Sequence, residues 1–182
     1  MKQNDKDPIL AVLRKHEAEI LADWVKEQSA SHSRRDQAHE AEMRTTSKEL
    51  LAAMIAALDG GGTDIRSSAW SRVREILGDL SASRAGQGYS ASETATFVFA
   101  LKQPVFGRLR RDIADAQGLG DALWSSTRLI DQLGLYTTEM YQKSREEVIQ
   151  RQQRELLELS TPVVQLWENV LALPLIGTLD SG

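Results

Sequence analysis

Apolar residues recur every three or four positions along most of this chain, which predicts helices rather than strands until close to its C-terminal end. Ile9, Leu13, Ile20 and Trp24 form the first stripe, with Arg14, Lys15, Glu19 and Lys26 off it. Asp7-Pro8 predicts where that helix starts: an acid able to cap orphan N–H groups, then a proline whose missing N–H costs nothing at the first helical position. Ser29 to Ser33 is a polar break. The spacing predicts a second helix from about Arg34 to Leu58, with Met43, Ser47, Leu50, Met54 and Leu58 on its buried side, ended by Asp59-Gly60-Gly61-Gly62. Trp70, Val73, Leu77 and Leu80 mark a shorter third helix, closed by Gly86-Gln87-Gly88. Ser90 and Glu93 stand at capping-box spacing and open a fourth, in which Phe97, Leu101, Val105 and Leu109 are apolar. Pro104 inside it predicts a kink or break near Gln103.

Gly118 and Gly120 punctuate the chain, and Asp121 is placed to cap a last helix running from Ala122 to about Leu159. Such a helix is roughly 55–60 Å long and must reach past a compact domain of this size. Its first half carries Leu129, Leu133, Tyr136 and Met140 at helical spacing. In its second half Ile149, Leu156 and Val163 lie one heptad apart, Leu159 takes the intervening position, and Arg145 and Gln152 occupy the other seam positions. A seam of this kind predicts a weak two-stranded coiled coil, and therefore a homodimer. The alternative is a single helix lying along its own domain.

Beyond it the pattern changes. Val170 to Ile176 is an apolar run, followed by Gly177-Thr178 and an acidic tip at Asp180, which reads as a buried strand. A lone strand leaves its backbone N–H and C=O groups without partners. The expectation is that the chain stops one strand into a second domain.

Composition narrows the function classes. With 41% hydrophobic and 26% charged residues over 182 positions, this is an ordinary globular chain able to bury a core. A formal net charge of −4 argues against a general nucleic-acid or anionic-membrane surface. No apolar run approaches the length of a membrane span, and Met1 to Pro8 is polar, unlike a signal peptide. The absence of cysteine excludes disulfides, thiolate metal sites and cysteine nucleophiles.

Catalytic chemistry is not organised anywhere. His16-Glu17 and His39-Glu40 each begin like a zinc-protease helix but lack the second histidine one turn on. Gly60-Gly61-Gly62-Thr63 lacks the lysine of a phosphate loop and follows a helix. No metal site is expected. His16 lies on the first apolar stripe and His39 stands four residues before Met43, so both could point inward. They read either as core or boundary histidines satisfied by neighbours, or, with Trp24 and Met43, as the lining of a ligand pocket between the first two helices. Trp24, Trp70 and Trp124 read as core packing.

The C-terminal segments Leu159-Ser160-Thr161-Pro162-Val163-Val164-Gln165-Leu166-Trp167 and Leu173-Pro174-Leu175-Ile176-Gly177-Thr178-Leu179-Asp180-Ser181 resemble, in order and spacing, the opening of the STAS domain of RsbR-type stressosome proteins. The resemblance implies an all-α fold: a globin-like helical bundle with a long C-terminal linker helix, ending in a single strand that begins a truncated STAS domain. Residues 1–140 would be the sensory domain, 141–160 the linker and 161–182 the start of the STAS domain. It further implies a non-catalytic, cytoplasmic, dimeric regulator, assembling with RsbS-like STAS proteins and holding an RsbT-like switch kinase, without nucleic acid or membrane as partner. Family members carry a phosphorylated threonine directly after the aspartate of the Gly-Thr-x-Asp turn. Ser181 occupies that place and is the phosphorylation candidate.

Such globin-like domains usually lack haem, and no cofactor is expected here. A haem protein needs an axial ligand well into the chain, whereas His16, His32 and His39 all fall within the first quarter. His39 would be the nearest to a ligand. Two other readings stand beside this one: a haem- or small-molecule-binding sensor of the same architecture, and a small helical enzyme whose C-terminal strand is coincidental.

Overall fold

The computed structural model describes residues 7–31, 37–159, 164–167 and 170–172. The chain divides into two compact units, residues 1–144 and 145–182. The first is an all-α bundle. Its elements are α1 (Pro8–Lys15), α2 (Glu17–Ser31), α3 (Gln37–Gly61), a 3₁₀ turn (Ser68–Trp70), α4 (Ser71–Gly86), α5 (Ala91–Phe99) and α6 (Lys102–Asp112). The 44-residue helix α7 (Ala116–Leu159), about 66 Å long, begins in this unit and continues into the second.

The helical stripes become one core. Ile9, Leu13, Ile20 and Trp24 are buried, as are Met43, Ser47, Leu50, Met54 and Leu58 on α3, and Phe97, Leu101, Val105 and Leu109 along the α5–α6 segment. The caps fall where local chemistry places them. The Asp7 carboxylate accepts from Ile9 N at 2.9 Å, and Ser90 with Glu93 forms a capping box. Gly62, at φ 66°, follows the end of α3, and its carbonyl accepts the indole N–H of Trp70 at 2.8 Å.

Four local expectations are corrected. The first helical stripe does not belong to one helix. The chain turns at His16 (φ −119°, ψ 22°), separating α1 from α2, and both pack on α6. Nothing in the local sequence breaks a helix there; the corner is held from outside. His16 Nε2 lies 3.0 Å from Asp112 Oδ2, and Lys15 Nζ donates to the same oxygen at 2.9 Å.

Pro104 does not break the helix near Gln103. The break falls earlier, at Ala100–Leu101, and Pro104 is the third residue of α6, where a missing N–H leaves no bond unmade. Likewise α7 starts before Gly118 and Gly120. The Asp115 carboxylate accepts from Gly118 N at 2.5 Å, so Asp115 occupies the capping role expected of Asp121. Trp124 is not core but 67% exposed, on the outward face of α7.

The second unit contains a short antiparallel hairpin, β1 (Val164–Trp167) with β2 (Val170–Ala172). Val164 pairs with Ala172 and Gln165 with Leu171, with a register shift before the Trp167–Val170 pair. Over Val170–Ala172 the strand expected alone thus has a backbone partner in the segment preceding it, as an isolated strand requires; residues 173–176 of that expectation lie outside the described residues. Val163 and Ser181 lie outside the described residues.

Candidate functional site

Two features of the structure bear on function: a cleft around a buried arginine in the bundle, and the exposed face of α7.

The cleft is built by a helix end. α4 terminates at Gly86, and Gly88 takes φ 82°, a conformation glycine adopts without strain. The chain then doubles back so that Tyr89 N donates to Arg84 O at 3.1 Å, the six-to-one bond that closes such a helix terminus. This return lays the Tyr89 ring against the Arg84 guanidinium, 5.2 Å from the ring centre. The Phe97 ring of α5 covers the guanidinium at 5.0 Å. Tyr141 of α7 donates its hydroxyl to Tyr89 O, which anchors the loop.

Phe97 is itself fixed. Its carbonyl stands at the α5–α6 break, where Leu101 N turns instead to Val98 O. The Trp24 indole N–H donates to that carbonyl at 2.8 Å, and the two rings pack tilted at 48° with centres 5.1 Å apart. A break caused by helix geometry is thus satisfied by a tryptophan from α2.

Arg84 is 3% exposed. Burial pushes its pKa below the ordinary arginine value, with Tyr89 and then Glu42 and Glu93 opposing that shift. It remains a cation at neutral pH. The cleft before it, about 20 Å³, is lined by Met43 and Thr46 of α3, Leu80 and Ser83 of α4, Gln87 and Phe97, with Glu42 at its exposed rim.

Other buried or half-buried arginines of the bundle have at least two polar partners each. Arg108 meets Asp23 at 2.7 Å and Glu19 at 3.2 Å. Arg74 donates to the carbonyls of Ile65 and Ser67, at 2.5 and 2.9 Å. Arg84 has a single hydrogen bond among the described residues, a long one of 3.3 Å to Glu93 O.

The residues expected to line a pocket therefore separate. Met43 lines the Arg84 cleft, and Trp24 supports it through Phe97. His16 sits at the α1–α2 corner, between Asp112 and Glu19. The His39 side chain lies outside what is described. Arg84 itself carries no sequence signal, being one arginine among many. The Gly86-Gln87-Gly88 stop two residues on is the available clue, since a helix end that turns back covers the side chain before it.

On α7 the expected seam residues Ile149 and Leu156 are exposed, at 41% and 67%. Leu135, 67% exposed, lies two heptads before Ile149 at the same repeat position. Leu157 flanks Leu156 and is also exposed, while the Leu159 side chain is outside the described set. Apolar side chains left in water at heptad spacing are the ingredients of a helix pair.

Comparison with known families adds the remaining observation. The family described as the RsbT co-antagonist protein rsbRD N-terminal domain matches residues 18–156, from the start of α2 to the Leu156 position of α7. This chain belongs to that family. No curated protein and no solved structure matches it.

The rsbRD-type N-terminal domain is thus an all-α regulatory domain of the stressosome class, and the matched region contains both the Arg84 cleft and the exposed apolar residues Leu135, Ile149 and Leu156 of α7. Among the described residues no cluster of His, Asp and Glu is arranged to hold a metal, and no helix is long and apolar enough to cross a membrane.

Proposed function

We propose that this chain is the sensory N-terminal domain and linker of an RsbR-type stressosome protein, non-catalytic and cytoplasmic. Residues 1–140 form the globin-like sensor, 141–160 the linker, and 161–182 the beginning of a STAS domain. It works as a homodimer, beside RsbS-like STAS proteins, and relays a signal along α7 to control an RsbT-like switch kinase. Neither nucleic acid nor membrane is a partner. Ser181 is the phosphorylation site, where a phosphate would add nearly two negative charges beside Asp180.

The observation that carries this reading is the coincidence of the family match with the exposed seam. The matched region runs through Leu135, Ile149 and Leu156, apolar residues that a dimeric linker would cover. A relay of this kind requires two packing states of similar free energy, biased by whatever the domain senses.

Light scattering on the gel-filtered chain, with Soret absorbance recorded in the same run, tests the dimer and the haem-free state together. A colourless dimer that Ile149→Glu with Leu156→Glu converts to monomer is the expected result. A wild-type monomer would remove the paired linker. In the full-length protein, Ile149→Pro with Leu156→Pro should uncouple stress from kinase release, and signalling that survives it would refute the relay. The second reading, a haem- or small-molecule-binding sensor, is favoured in its small-molecule form by the Arg84 cleft, whose volume of about 20 Å³ is far too small for haem; a Soret band would put haem elsewhere in the domain.

A further inference from the structure

We infer that the Arg84 cleft binds the carboxylate of a small organic acid. This rests on the sensory reading above, because it names what such a domain would take up.

A guanidinium removed from water needs partners for its N–H donors, since an uncompensated buried charge is strongly unfavourable. Among the described residues no carboxylate lies within ion-pair distance of Arg84, and its one hydrogen bond is long. Arg84 Cζ lies over the Phe97 and Tyr89 rings, so two aromatic faces flank the cation, and Nη1 carries its one hydrogen bond among the described residues. Ser67 Oγ is the side-chain polar atom left buried without a partner among the described residues. The other Arg84 donors are thus not sealed in the core, and the cleft that Arg84 lines is the space open to them.

A carboxylate matches a guanidinium edge with two parallel charge-assisted bonds. Thr46 and Ser83 both line the wall and carry hydroxyls, and Gln87 Nε2 donates to Ser83 Oγ at 2.9 Å, which leaves the Ser83 hydroxyl proton free to be donated. Met43, Leu80 and Phe97 supply an apolar side suited to a short alkyl group. The cleft is open to solvent and its recess, about 20 Å³, holds little more than one water, so only a carboxylate oxygen reaches the recess and the rest of the acid lies at the mouth. Glu42 at the rim disfavours anions and sets the affinity low. A low affinity suits a sensor that must release its ligand as concentration falls.

The test is an NMR titration of the whole 182-residue chain with sodium acetate, following the Arg84 side-chain N–H and the amides of Met43, Thr46 and Ser83. Acetamide and sodium chloride at matched ionic strength are run in parallel. Saturable shifts with acetate alone are expected, weakened about tenfold or more by Arg84→Gln. Should that variant fail to fold, Thr46→Val, which keeps the shape of the wall and removes a hydroxyl, should weaken acetate about threefold. Glu42→Gln should tighten acetate about threefold while leaving the melting temperature in place.

Equal responses to chloride, or none to acetate, overturn the site. A fall in melting temperature of more than about 4 °C in Glu42→Gln would mean that Glu42 already pairs with Arg84, which also overturns it. A dimeric chain with no acetate response loses this site and keeps the sensory reading. A monomeric chain that saturates with acetate keeps the site and loses the dimeric relay.

Discussion

Gly134 lies midway along α7 and is buried against Phe99 of α5. A methyl group built on Gly134 would overlap Cε1 of that ring and stand 2.5 Å from its Cζ. The ring is not free to leave, because it packs on the core and Lys102 Nζ lies 5.2 Å above it, held by Asp131 at 2.6 Å. In an open helix interior, glycine to alanine gains about 1 kcal/mol. Forcing an extra carbon into a filled contact costs about 1–3 kcal/mol. The overpacking should win, so Gly134→Ala is expected to destabilise by about 1 kcal/mol net. Gly120, on the same helix, has open space where the new methyl group would stand, with no atom within 4 Å, and Gly120→Ala should stabilise by about 1 kcal/mol. Thermal unfolding followed by circular dichroism should therefore separate the two variants by roughly 4–8 °C, with the wild type between them. In a Phe99→Leu background the Gly134→Ala penalty should shrink or reverse, since the obstructing ring is gone. A Gly134→Ala protein that melts as high as Gly120→Ala would refute the close approach of α5 and α7.

Two further outcomes are expected. Trp24→Phe removes the donor to the buried Phe97 carbonyl and should lower stability by about 1–3 kcal/mol, read as a shifted urea midpoint at constant slope; an unchanged midpoint would mean another group satisfies that carbonyl. The Asp112 carboxylate is held below its ordinary pKa by the Lys15 hydrogen bond first and by His16 after it, against the opposing effect of desolvation. A folded pKa below the unfolded value gives stability that is present above about pH 4 and lost as pH falls through the folded value. Asp112→Asn should then lose less stability than wild type between about pH 5 and pH 3; parallel acid profiles would sink that assignment.

The helical stripes are legible in the sequence because a period of three to four is a local property, and a bundle needs little else to bury its apolar faces. The stops at Gly62 and Gly88 and the caps at Asp7 and Ser90 are legible for the same reason: each depends on side chains within a few residues. The exposed apolar positions Ile149 and Leu156 are visible as heptad spacing, although the exposure of Leu135 is hidden because the neighbouring Leu133 and Tyr136 dominate the pattern.

What tertiary structure decided was everything set by a partner far away in sequence. The corner at His16 exists because Asp112, ninety-six residues on, holds its ring from α6. The start of α7 moved to Asp115 because glycines inside a helix that packs well cost less than ending it early. Trp124 faces water although its large apolar ring suggests a core position, since only packing decides which stripe of a helix turns inward. Above all, no pattern of apolar and polar residues announces Arg84. Its burial follows from Gly88 turning the chain back, Phe97 arriving from α5, and Trp24 fixing Phe97 from α2. Sequence alone indicated an all-helical domain ending in a long helix with apolar residues at heptad spacing; the cleft at Arg84 exists only once three separate elements close around one side chain.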